Sequence, residues 1–107
     1  MFTTVEVGLI AGRHDLGEGF DYVFDSIEDV FDFAGMADDA SAWLHSNVSL
    51  GTRRVFLYVT GLSAALAAFL DAWVLLKQDY ARADTMLVLM HFDRETGEYR
   101  QQPWGWA

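Results

Sequence analysis

The sequence predicts an α/β fold, with α+β as the other arrangement left open. It would hold a sheet of about four to five strands, two helices, and a last strand forming an antiparallel edge hairpin. Three observations point there. Apolar and polar residues alternate over residues 2–10. Helical apolar spacing then runs from Ile27 to Leu44. Finally, the apolar run from Val55 to Leu76 changes at Gly61 from aromatic and β-branched residues to Ala and Leu, so its propensity switches from strand to helix. A chain of 107 residues and 12.1 kDa has room for one domain, 1–107, and 52% hydrophobic residues are enough to fill its core.

Along the chain, Thr3, Val5, Val7 and Leu9 would line the buried face of a first strand. Gly12, Gly17 and Gly19 break the pattern, and Phe20, Tyr22 and Phe24 alternate as a short strand returning beside the first. Ser26 with Asp29 three residues on reads as a capping box for a helix of about five turns, with Gly35 a candidate kink. Asn47–Thr52 is an exit loop. Val55–Val59, apolar without interruption, has the composition of a central strand covered on both faces.

Thr60-Gly61-Leu62-Ser63 then turns into a helix running to about Tyr80, apolar nearly all round. Thr85–Phe92 is a further strand, and Asp93–Glu98 the loop to an edge strand over 99–102 that Pro103 ends. Strand, helix and strand in this order make a right-handed βαβ crossover. The 22 residues from Val55 to Leu76 are long enough to cross a bilayer, but Asp71 would cost about 2.5–3.5 kcal/mol there, so the run reads as strand, turn and helix rather than a membrane span.

Composition narrows function. With no cysteine there is no disulfide framework, thiolate metal site or cysteine nucleophile, and a cytoplasmic compartment fits best. The N-terminus lacks the basic patch and apolar run of a signal peptide. The net charge of −9 opposes direct contact with nucleic acid or anionic membrane. That charge is lopsided. Residues 1–50 hold ten carboxylates against one basic residue, Arg13, whereas residues 51–107 hold six of each.

Asp25, Glu28, Asp29, Asp32, Asp38 and Asp39 therefore form a carboxylate field suited to a basic protein surface. Trp104 and Trp106, around Gly105, are candidate anchors for a partner or a second copy. An alternative ligand site is Thr60, Gly61 and Ser63, where a parallel strand would meet a helix N-terminus, with His91 and Asp93 nearby as an acid–base pair. The single glycine and missing Walker lysine set it apart from the known phosphate fingerprints. His14, Asp15 and Glu18 lack a metal-ligand spacing, and no nucleophile elbow or zinc-protease motif occurs, so no catalytic residue, metal or cofactor is expected.

The stretch Leu57-Tyr58-Val59-Thr60-Gly61-Leu62, followed by Leu89-Met90-His91-Phe92-Asp93-Arg94-Glu95-Thr96-Gly97-Glu98-Tyr99, resembles a cassette of small uncharacterised proteins of bacteriophages and mobile elements. The likeness covers about the C-terminal half. It implies a small Rossmann-like sheet in a host–phage setting, in the host cytoplasm, and carries no catalytic motif. The first expectation is thus a non-enzymatic, anti-defence (anti-CRISPR-like) inhibitor that binds a basic protein site. The alternative is a small nucleotide-binding sensor or nuclease-like protein using the Thr60–Ser63 turn. A homo-oligomer, most simply a dimer through the apolar C-terminal half around Phe69, Trp73 and the terminal tryptophans, is compatible with either.

Overall fold

The computed structural model describes residues 3–12, 16–17 and 19–105. In chain order the elements are β1 (Thr3–Ile10), β2 (Tyr22–Phe24), α1 (Phe33–Asn47), β3 (Thr52–Tyr58), α2 (Ser63–Leu76), β4 (Met86–Asp93) and β5 (Glu98–Trp104), with a 3₁₀ turn at Tyr80–Arg82. They build one five-stranded mixed sheet in the order β2-β1-β3-β4-β5. The first four strands of that order run parallel, and β5 pairs antiparallel with β4 as the edge hairpin.

Both long connections, β2-α1-β3 and β3-α2-β4, step across the sheet in the same direction, so two right-handed crossovers lay both helices on one face. The core shows it. Val7 and Leu9 from β1, Val55 and Leu57 from β3, and Leu87 and Leu89 from β4 pack in one cluster with Met36, Ala40 and Leu44 of α1 and Phe69, Trp73 and Leu76 of α2. The period-two reading of the first strand is therefore correct in phase. Buried polar side chains are few and bonded: the Thr85 hydroxyl donates to the Thr52 carbonyl at 2.8 Å, and the Thr52 hydroxyl accepts from the Ser49 amide at 3.1 Å.

Several local expectations are corrected. The second strand lies beside the first, as expected, but runs parallel to it rather than back along it. Ser26 does not cap α1. The helix starts six residues after Ile27, where the Asp32 carboxylate accepts from the Gly35 amide at 3.0 Å. Gly35 consequently lies in the first turn and not at a kink, and a Cβ there would collide with that carboxylate. The second helix, α2, begins without a side-chain cap after Leu62 and ends at Leu76, not Tyr80. Pro103 does not end β5 but sits inside it, opposite Val88, as an edge strand permits.

Among the described residues no helix is long and apolar enough to cross a membrane. Asp71 is exposed on the outer side of α2.

Candidate functional site

Beyond Phe24 the chain enters the turns that precede α1. The Asp29 carboxylate accepts from the Phe31 amide at 2.9 Å and so closes one of these turns, and Asp32 caps the helix. Together the turns and the first part of α1 enclose an open cleft of about 510 Å³. Glu28, Asp29, Asp32, Asp38 and Asp39 line it, no basic side chain does, and all five are exposed. Asp25, also exposed, lies just before the cleft's first lining residue, Ser26. Five of the six acidic candidates thus come together on one concave surface. The Asp29 and Asp32 carboxylates have local bonding duties, whereas no side-chain hydrogen bond or ion pair to a described residue engages those of Asp25, Glu28, Asp38 and Asp39. Such an array concentrates negative potential at the end of the sheet where β2 stops.

Trp104 is elsewhere. It lies opposite Leu87 in the β4–β5 pair and lines, with Arg53, Trp73 and Lys77, a second cleft of about 340 Å³. That cleft is at the end of the parallel strands where β3 and β4 begin, opposite the end at which β2 stops, so the structure does not bring Trp104 to the carboxylates. Trp106 lies outside the described residues, as do Arg13, His14, Asp15 and Glu18.

The alternative ligand residues are partly gathered. Thr60, Gly61 and His91 line a cleft of about 340 Å³ with Arg94 and Tyr99, and Gly61 turns the chain with φ 86°. The Thr60 hydroxyl is already engaged on β1, donating to the Ile10 carbonyl at 3.0 Å and accepting the Ile10 amide at 3.1 Å. Ser63 is exposed and not part of the lining. His91 and Asp93 share a strand face but do not bond each other. The imidazole Nε2 meets Gln102 Oε1 at 2.6 Å, and Asp93 accepts from Arg100 Nε at 2.7 Å and the Glu95 amide at 2.9 Å. The Arg100 hydrogen bond lowers the Asp93 carboxyl from its ordinary value, and the two side chains form an ion pair. Among the described residues no group of three or more His, Asp or Glu could hold a metal.

A set of residues that the sequence reading left out lies on the sheet face away from both helices. Tyr58 meets Phe20 and Tyr99 edge to face at centroid distances of 5.2 and 4.8 Å, and Phe92 meets Tyr99 at 5.3 Å. Tyr22 of β2 lies across Gly8, where a Cβ would come within 2.5 Å of its ring. Burial first, and then the Glu6 carboxylate, pushes the Tyr58 phenol up from its ordinary pKa; burial likewise raises Tyr99. The available signal was the alternation of Phe56 and Tyr58 with Val55 and Leu57, obscured because both members of each pair are apolar.

Compared with protein-family models, curated proteins and solved structures, the chain matches none.

Proposed function

We propose that the protein is a non-enzymatic interaction module whose carboxylate cleft binds a basic protein surface, standing where nucleic acid would otherwise lie. The observation that carries this reading is the concave array of Glu28, Asp29, Asp32, Asp38 and Asp39 with no basic side chain in its lining. Fixed anions on a rigid helix and its capped turns lose little freedom on binding and accelerate encounter with a basic partner. The resemblance of the C-terminal half to small phage and mobile-element proteins is why we propose an anti-defence inhibitor in a bacterial host, with a nucleic-acid-binding component of the defence as target.

The test is retention of bacterial proteins by the native chain and by a Glu28→Gln, Asp38→Asn, Asp39→Asn variant, which spares the two carboxylates with bonding duties. A basic protein held by the native chain at low salt, released at high salt and lost from the variant is the expected result. Identical retention by both chains would reject the reading. A second reading, a small anionic ligand such as a nucleotide at the start of α2, is favoured by the cleft that Gly61, His91 and Arg94 share. Nucleotide recovered with the native chain, and lost on Arg94→Gln, would put it first.

A further inference from the structure

Both helices belong to connections that end at β4, and β5 extends the sheet one strand further. Trp104 of β5 stands opposite Leu87 of β4, so the two side chains share a face of the sheet, the one on which Leu87 joins Trp73 of α2 in the core. Between the last turn of α2 and the end of β5 lies the cleft of about 340 Å³. Its floor is dry, since Trp73 and Leu87 are buried. Its rim is not: Val74, Met86 and Trp104 are 55%, 40% and 39% exposed. Large apolar side chains that water reaches thus surround one cavity, whose size falls in the range of about 300–1,000 Å³ usual for small-ligand sites.

We propose that this cleft binds a small apolar carboxylate, its hydrocarbon body among Val74, Met86 and Trp104 and its anionic head at Lys77. Lys77 selects the charge. Half-buried just beyond α2, its ammonium donates to the carbonyls of Ala83 and Thr85, the latter at 2.6 Å. These two bonds hold the side chain in place and use two of its three N–H donors. Neither acceptor carries a charge, and among the described residues no carboxylate forms an ion pair with Lys77. An anion from outside therefore takes up the remaining donor of a cation that is already positioned, and little side-chain freedom is lost on binding. The rest of the lining agrees. Arg53 is the second cation and Asp84 the one carboxylate, which leaves the cleft net positive on a chain of net charge −9. That sign disfavours an apolar amine, and a bare inorganic anion would gain nothing from the exposed rim.

An NMR titration of the full chain with three probes tests this: 3-phenylpropionate, its neutral amide, and acetate, which keeps the charge and lacks the apolar body. The acid should displace the Trp104 indole N–H resonance to saturation, and the amide and acetate should each bind at least tenfold more weakly. Lys77→Met should weaken the acid at least tenfold. Val74→Glu, which sets a like charge on the exposed rim, should do the same with unchanged circular dichroism, and it carries the test if Lys77→Met loosens the turn that Lys77 holds. Leu75→Glu adds the same charge at an exposed position of α2 outside the cleft lining and should leave the affinity within about twofold of native. A displacement that never saturates overturns the proposal. So does an amide or acetate that binds as well as the acid, or a loss on Leu75→Glu equal to that on Val74→Glu.

Discussion

Thr60 shows how a residue's position can be legible in the sequence while its bonding partner is not. Its place at the end of β3, before the positive-φ glycine, is evident from the chain, and strand ends of this kind gather ligands. Its hydroxyl instead joins β3 to the Ile10 backbone, fifty residues away in sequence, and no local pattern announces such a pairing. Thr60→Val keeps the shape, removes both bonds and leaves the Ile10 groups buried without that partner. We expect a loss of about 1–3 kcal/mol in urea unfolding. Asp93 gives the pH counterpart. Its pKa is lowered in the fold by Arg100, so its contribution to stability is fully present above the ordinary carboxylate value of 3.8 and is lost as pH falls through the lower folded value. Asp93→Asn should flatten the acid limb of the stability curve by that contribution and leave the shape at neutral pH unchanged; an unaltered acid limb would show that the pair does not form in solution.

At the scale of elements, strand phases and the edge hairpin were legible because period-two patterning and a Gly-bearing polar loop are local signals. The start of α1 was not. Ser26 with Asp29, and Asp32 with the Gly35 amide, each satisfy a capping rule, and the choice depends on packing that the sequence does not display. The structure separates them by energy. Asp32→Ala should cost about 1 kcal/mol, whereas Ser26→Ala should stay within about 0.5 kcal/mol of native. Gly35 sharpens the contrast. Alanine is the better helix former by about 1 kcal/mol, yet its Cβ would collide with the capping carboxylate. Gly35→Ala should therefore destabilise the native chain and stabilise the Asp32→Ala variant, a change of sign that a double-mutant cycle in urea reads directly. The length of α2 was overestimated for a related reason. Beyond Leu76 the Lys77 ammonium donates to the carbonyls of Ala83 and Thr85, and Asp79 caps a separate 3₁₀ turn, so side chains within the polar stretch redirect the backbone.

For the whole molecule, the charge imbalance could be counted from the sequence, and five of the six carboxylates drawn from it line one cleft. Two features were hidden. Trp104 shares a terminus in sequence with nothing near that cleft and lies at the opposite end of the sheet. The uninterrupted apolar strand β3 suggested cover on both faces, whereas both helices fall on one, because two crossovers stepping in the same direction must do so. The carboxylates gather at the end of the sheet where β2 stops, and the rings of Tyr58, Phe92 and Tyr99 cluster on the side away from the helices. Binding at the cleft should weaken as salt is added.

The most direct measurement of the central claim, that the carboxylate cleft is the binding surface, is an NMR titration of the native chain with a nona-arginine peptide at low and at moderate salt. Amide shifts concentrated at Asp25–Asp39, saturating at low salt, diminished by added salt and abolished by the Glu28→Gln, Asp38→Asn, Asp39→Asn variant, are the predicted result. Shifts scattered over the carboxylates of the C-terminal half, or a response that the variant leaves intact, would contradict it.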